Sequence, residues 1–180
     1  MIMKTLIIVD LQKDFISPSG TLYVKGGEEL PGIIGEWIKE NQENLRKVIF
    51  TVDWHKIGDK SFEINGGTWP IHCLQYSEGA SLPDSLFLLC KELGINTEVI
   101  YKGNVEDHEE YGAFERNTGR TPWETLKLTG YMSGVVEVKP SDEFIVCGVA
   151  GDYCVKETIG NLKKYLKNVV ALEKAIRYIG

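Results

Sequence analysis

A three-layer α/β/α fold with a mostly parallel central sheet is what this sequence predicts, and three observations predict it. Strand-like and helix-like segments alternate along the chain. The strand-like segments are continuous apolar runs, as in sheets covered on both faces, and not the alternating pattern of a half-exposed sheet. The helix-like segments are amphipathic, so each has one apolar face to lay on that sheet.

The first strand is Lys4–Val9 (KTLIIV), rich in β-branched residues, and it runs out at Asp10. Over residues 28–44, Leu30, Ile33, Ile34, Trp37 and Ile38 recur at helical spacing among Glu, Lys and Asn, which predicts a helix packed on that strand. A second strand follows at 47–52 (KVIFTV) and ends on Asp53. From Trp54 to Pro83 the pattern breaks at Gly58, at the pair Gly66 and Gly67, and at Pro70, so a long loop is expected there. Loops of that length inside a compact domain are usually functional.

Residues 81–93 predict a short helix, and 97–101 (TEVIY) a third strand ending at Lys102. An acidic loop is expected over 103–120. Thr121, with Pro122 after it and Glu124 three residues on, has the form of a helix N-cap, and the helix is expected to run through Leu128. A fourth strand is read at 142–147 (DEFIVC), an amphipathic helix at 152–166, and a fifth strand at 168–172 (NVVAL). Parallel neighbours need crossover connections, and this order supplies them.

With 180 residues, 43% hydrophobic and 26% charged, the chain is expected to form one globular domain over residues 1–180. A net charge of -6 and a pI near 5.2 leave no basic footprint, so neither nucleic acid nor an anionic membrane surface is an expected partner. The N-terminal apolar run is interrupted at Asp10 and has no small-residue cleavage site after it, so it reads as a strand and not as an export signal. No apolar stretch reaches membrane-spanning length. Cys73, Cys90, Cys147 and Cys154 form no CxxC pair, and reduced thiols in the cytoplasm are expected.

Asp10, Asp53 and Lys102 lie at the carboxyl ends of predicted strands, and Cys154 lies just beyond the fourth. In an open parallel sheet those ends share one edge, where ligands bind. Cys154, in GVAGDYCV, opens a helix, where free N–H groups and the helix dipole favour a thiolate, and an ammonium at Lys102 is expected to lower its pKa further. Asp10 is then placed to take the thiol proton and pass it to a leaving amine. The other three cysteines read as small core residues.

A second group is Asp53-Trp54-His55, joined after the loop by Trp69-Pro70-Ile71-His72-Cys73. On extended chain, residues two apart point to one side, so Asp53 and His55 can face one ion, with His72 returning as a third ligand. Two imidazoles and a carboxylate suit zinc, iron or manganese. Spacing alone does not separate this from a chance DxH with His72 capping the loop. His108, within the acidic loop, reads as solvated surface.

Taken in order, IIVDLQKDF, TVDWH, GGTWPIHC, YKG with YGAF, and CGVAGDYCV span nearly the whole chain, and together they resemble the isochorismatase-like cysteine hydrolases, within them the nicotinamidases or pyrazinamidases. The resemblance implies the Rossmann-like isochorismatase fold and conversion of nicotinamide, and of pyrazinamide, to the acid and ammonia through a cysteine thioester, in NAD salvage. It assigns Cys154 as nucleophile, Asp10 as proton shuttle and Lys102 as third member of the set. One divalent metal, zinc before iron or manganese, falls to Asp53, His55 and His72, where it would grip the ring nitrogen of a pyridine carboxamide. Phe15 and Trp69 become the walls of the ring pocket. Val149–Ala150 corresponds to a cis peptide, with the Ala150 and Cys154 amides as the oxyanion hole.

Three departures from the family pattern stand out. Where many relatives carry a further histidine this chain has Asp59, so a fourth metal position falls to Asp59 or Glu63, directly or through water, or stays open. A family serine is Gly112 and a threonine is Gly151, which predicts a wider or looser pocket rim. The sequence stops at Gly180, soon after the fifth strand, where many relatives continue. Family members range from monomers to dimers and larger rings, so a homo-oligomer is within expectation. Two other readings compete: a different amide hydrolase of the same fold, and a catalytically silent metal- or ligand-binding relative. The DxH and WPxHC set weighs against the first, and an intact Asp10, Lys102 and Cys154 against the second.

Overall fold

β1 (Lys4–Val9) is the middle strand of the molecule, and Leu6, Ile7, Ile8 and Val9 on it have no exposed surface. Both faces of the strand are covered, which is why its sequence carries no alternation. Burial of each such side chain contributes roughly 1.5–3 kcal/mol. The computed structural model describes residues 1–120, 125–131 and 134–180, and for Thr118 and Arg120 the backbone alone.

After β1 come α1 (Lys13–Ile16), α2 (Leu30–Asn41), β2 (Leu45–Asp53), α3 (Asp84–Glu92) and β3 (Asn96–Lys102). Then follow β4 (Arg116–Arg120), β5 (Leu126–Thr129), β6 (Val136–Val138), β7 (Glu143–Gly148), α4 (Lys156–Lys163) and β8 (Val169–Ile176). Five strands form a parallel sheet in the order β3-β2-β1-β7-β8. The chain winds outward from β1 through β2 to β3, then restarts beside β1 with β7 and β8. By the general right-handed rule for parallel crossovers, winding in the two directions puts α2 and α3 on one face and α4 on the other. α2 buries Leu30, Ile34, Trp37 and Ile38 and packs against α3, which buries Leu86 and Cys90.

Parallel register carries the strand ends to one edge. Val9 is level with Thr51 and Gly148, and Asp53 is level with Lys102. The direction of winding reverses between β1 and β7, and at that switch point diverging loops leave a crevice.

Two regions differ from the sequence expectation. The helix expected over 121–128 begins at Thr121, Pro122 and Glu124, which lie outside the described residues, but its far end is the strand β5. Leu126 and Leu128 are buried and pair antiparallel with Val138 and Val136. That alternation has a period of two, which a strand satisfies and a helix does not. With β4 it makes a second, three-stranded antiparallel sheet, so part of the expected acidic loop is strand. The helix expected from residue 152 starts instead with a π-helical turn, Gly151–Val155, in which the Val155 N–H reaches back 3.0 Å to the Ala150 carbonyl. Such wide turns recur at functional sites.

Candidate active site

Lys102 is the centre of the charged cluster. It ends β3 with 1% of its surface exposed, and its ammonium lies 2.8 Å from Asp10 Oδ2, in contact with Asp53 Oδ1, and 3.5 Å from Cys154 Sγ. A buried ammonium is tolerable only when paired. Burial alone would strip its proton, but Asp10, Asp53 and the Cys154 sulfur outweigh that and hold its pKa well above the ordinary lysine value.

Asp10 leaves β1 with φ of 50°, a left-handed conformation that Asp adopts more readily than most residues. Its N–H donates to the Thr51 carbonyl at 3.0 Å, and its Oδ1 accepts from the Thr51 hydroxyl at 2.7 Å. Oδ2 faces the ammonium, and a carboxylate oxygen with two lone pairs can accept from a second donor; an Asp10 oxygen lies within 4.8 Å of the Cys154 sulfur. Burial pushes Asp10 up to about 6, with Lys102 opposing and Asp53 reinforcing.

The thiol itself departs from the sequence expectation. Burial first, and then Asp10 and Asp53, push Cys154 well above the ordinary thiol range, although Lys102 pulls the other way. One ammonium shared between two carboxylates offsets only part of that rise. Cys73, Cys90 and Cys147 are buried free thiols, as expected of core residues.

Beside this cluster, Asp53, His55 and His72 bring one ligand atom each to within 4.8 Å of one another. His55 Nε2 is 3.4 Å and His72 Nε2 is 3.7 Å from Asp53 Oδ2. The loop returns because residues 73–75 run beside His55, with the His55 N–H on the Cys73 carbonyl at 3.1 Å and the Gln75 N–H on the His55 carbonyl at 3.0 Å. His72 Nδ1 donates to the Pro70 carbonyl and His55 Nδ1 to Asp59 Oδ2, each at 2.7 Å. Since both acceptors can only accept, Nδ1 carries a proton in each ring, and both Nε2 atoms face Asp53. Burial disfavours a charged His55, but Asp53 and Asp59 prevail and hold it up at about 9. A divalent cation would displace that proton. The residues therefore fit a divalent metal, with a carboxylate and two oriented imidazoles. Asp10, Asp53 and Cys154 also converge, but the Lys102 ammonium occupies that position.

Neither residue weighed for a fourth ligand joins the ion group among the described residues. Asp59 spends Oδ2 on His55 and Oδ1 on the Ser61 N–H at 2.9 Å, and Glu63 is exposed on a short turn. Sequence reasoning missed three supports. Gln12 grips the Asp53 backbone twice, its Oε1 accepting the N–H and its Nε2 donating to the carbonyl, both at 2.7 Å. Buried Phe62 packs edge-on against both imidazoles. Asp14 accepts the Cys73 N–H at 2.7 Å and pins the loop behind His72.

A cleft of about 480 Å³, open mouth included, connects the two groups. Phe15 and Trp69 both line it, Phe15 with its ring centroid 5.4 Å from that of His72. Trp69 does not act alone: its Nε1 donates to the Tyr111 hydroxyl at 3.0 Å, and its ring meets that of Tyr153 edge-on at 5.1 Å. Tyr111 sits in the YGAF motif and was legible there; Tyr153 had only its place beside Cys154. The Val149–Ala150 peptide is cis, and Ala150 lines the cleft with Cys154.

Other expectations need correction. Gly112 is not at a loosened rim. A Cβ there would lie 2.7–2.8 Å from Asn161 Nδ2 and Glu157, so Gly112 lets the chain lie tight against α4. Gly151 likewise makes room for the Tyr178 ring, which would stand 2.4 Å from any Cβ. His108 is half-buried, 3.3 Å from Glu115 Oε2 and over the Tyr131 ring at 3.9 Å, and not free in solvent.

No family model matches the chain. The nicotinamidase of Saccharomyces cerevisiae is 32% identical over an alignment covering 87% of this chain and 79% of that protein. Among solved structures, the yeast nicotinamidase bound to the inhibitor nicotinaldehyde superposes with a TM-score of 0.77 at 27% identity, covering 99% of this chain and 89% of that one. The pyrazinamidase of Pyrococcus horikoshii in complex with zinc gives 0.70 at 28% identity, covering 98% and 87%. The overlap runs through the whole sheet, and this chain belongs to the nicotinamidase family.

Proposed function

We propose that this chain is a nicotinamidase, a metal-dependent amidase that hydrolyses nicotinamide to nicotinate and ammonia and accepts pyrazinamide as well. One observation carries the reading: the buried Lys102 ammonium ties Asp10, Asp53 and Cys154 into one cluster, and Cys154 lines the same aromatic-walled cleft as Asp53, His55 and His72. Zinc is the ion we favour, since the donors are two imidazoles and a carboxylate and since the Pyrococcus relative contains zinc. Bound there, the ion supplies a Lewis-acidic anchor for the ring nitrogen of the substrate.

Phe15 and Trp69 flank the flat ring. Asp10 Oδ2 takes the Cys154 proton, and the sulfur adds to the carboxamide carbon. The negative charge that develops on the amide oxygen is taken up by the N–H groups of Ala150 and Cys154. Asp10, now protonated, gives its proton to the departing nitrogen, and ammonia leaves a thioester behind. Asp10 then draws a proton from water, whose oxygen attacks the thioester, and returns that proton to the departing sulfur, so that the thiol is restored and the acid loses its remaining proton to solvent as nicotinate. Throughout, Lys102 stays charged and offsets the charge that moves between sulfur and carboxylate. We place the enzyme in the cytoplasm as a single domain over residues 1–180; among the described residues no helix is long and apolar enough to cross a membrane.

Ammonia release from nicotinamide, measured before and after chelation and again after adding zinc, iron or manganese, tests the reading. Loss on chelation and recovery with one of these ions is expected. Turnover unaffected by complete metal removal would refute the metal assignment, and no ammonia under any condition would refute the amidase.

A further inference from the structure

Beyond β8 the chain folds back over the turn that carries the nucleophile, and several contacts hold it there. The Gly151 N–H donates to the Arg177 carbonyl at 2.7 Å. The Tyr178 ring fills the space that a side chain at Gly151 would need. The Asp152 carboxylate accepts two backbone N–H groups, Ile179 on Oδ1 at 3.1 Å and Gly180 on Oδ2 at 3.0 Å. On the other side, Arg177 Nη2 is 2.8 Å from Glu29 Oε2 and ties the same segment to the turn before α2.

The consequence is the position of Ile179. It lines the same cleft as Cys154, yet it is 42% exposed where Cys154 is 7% exposed, so it lies nearer the mouth of the cleft than the sulfur does. No step of the chemistry needs an aliphatic side chain there, but the shape of the opening does.

We propose that Ile179, held in place by the Asp152 carboxylate, sets the width of the ring that can reach the thiol, admitting single-ring carboxamides and turning away ring-fused ones. This rests on the amidase reading above. Ile179 is then a specificity-determining residue, and Asp152 a positioning residue that acts through it. An aliphatic wall discriminates by size, at about tenfold or more for a substantial change in its volume.

The test is kcat/KM for nicotinamide and for its benzo-fused quinoline analogue, read as the ratio of the second to the first. In Ile179→Ala the ratio is expected to rise about tenfold or more. Asp152→Ala should produce much of the same rise by releasing the segment, and Asp152→Asn, which keeps one acceptor oxygen, should fall between it and the parent. The double variant Asp152→Ala with Ile179→Ala should exceed Ile179→Ala alone by little, because both changes remove one wall. An unchanged ratio in Ile179→Ala overturns the proposal. A rise there with none in Asp152→Ala, or fully additive effects, overturns the role of Asp152. A parent enzyme that hydrolyses neither amide overturns the amidase reading itself and this proposal with it, whereas hydrolysis of nicotinamide with a flat ratio overturns only the proposal.

Discussion

The corner proposed to hold the nucleophile and the corner proposed to hold the metal, called below the nucleophile and metal corners, lie side by side and are held in different ways. Asp10, Lys102 and Cys154 belong to the ends of β1 and β3 and to the turn after β7, so sheet register sets their spacing. In the metal corner only Asp53 is on the sheet. His55 lies two residues past it and His72 returns on a loop, and side-chain hydrogen bonds from Gln12, Asp59 and Asp14 fix that geometry. Strand ladders are cooperative and buried, whereas each of these bonds stands by itself. The first corner should fail chemically while keeping its shape, and the second should fail by losing its ion.

The sharpest break between the two is Cys154→Ala. Removing the nucleophile should lower ammonia release by at least about four orders of magnitude, while metal titration of the variant still gives one ion per chain. Loss of the ion together with turnover would show that the corners are not separable. His72→Ala is the converse. Metal affinity should fall by more than about a hundredfold, beyond the cost of losing an outer hydrogen-bond partner, and activity should return in part at high added metal. Activity lost without any change in metal affinity would remove His72 from the ion site.

The same contrast explains what could be read in advance. Strand-end residues were legible because a buried parallel sheet writes continuous apolar runs, and the residue after each run must lie at the shared edge. DxH was legible because extended chain repeats every two residues. Asp59 was weighed as a ligand because it stands where many relatives carry a histidine, and sequence position does not tell which way a carboxylate turns. Gln12 gave no signal, since nothing in DLQKDF announces that its amide closes on the backbone of a residue 41 positions away. The acidity of Cys154 was misread for a related reason. A helix start and a lysine are visible in sequence, but the burial and the second carboxylate that outweigh them exist only once the sheet has formed. β5 was taken for helix because a capping pattern preceded a segment too short to display its period.

Asp59 offers the finest discrimination between the corners and the smallest effect. Its carboxylate touches His55 on the side away from Asp53, so it can orient the ring and strengthen the ring's donor nitrogen without meeting the ion. Partners of this kind typically contribute roughly 10- to 100-fold in metal affinity. Asp59→Ala should fall in that range by competitive chelator titration. Asp59→Asn, which can still accept from Nδ1 but carries no charge, should lose less. The ordering separates the two roles weighed for this residue. If Asp59→Ala released the ion as completely as His72→Ala, Asp59 would be a ligand that swings inward on binding. If it bound metal as tightly as the parent, the loop alone would hold His55, and the metal corner would be as self-sufficient as the sheet beside it.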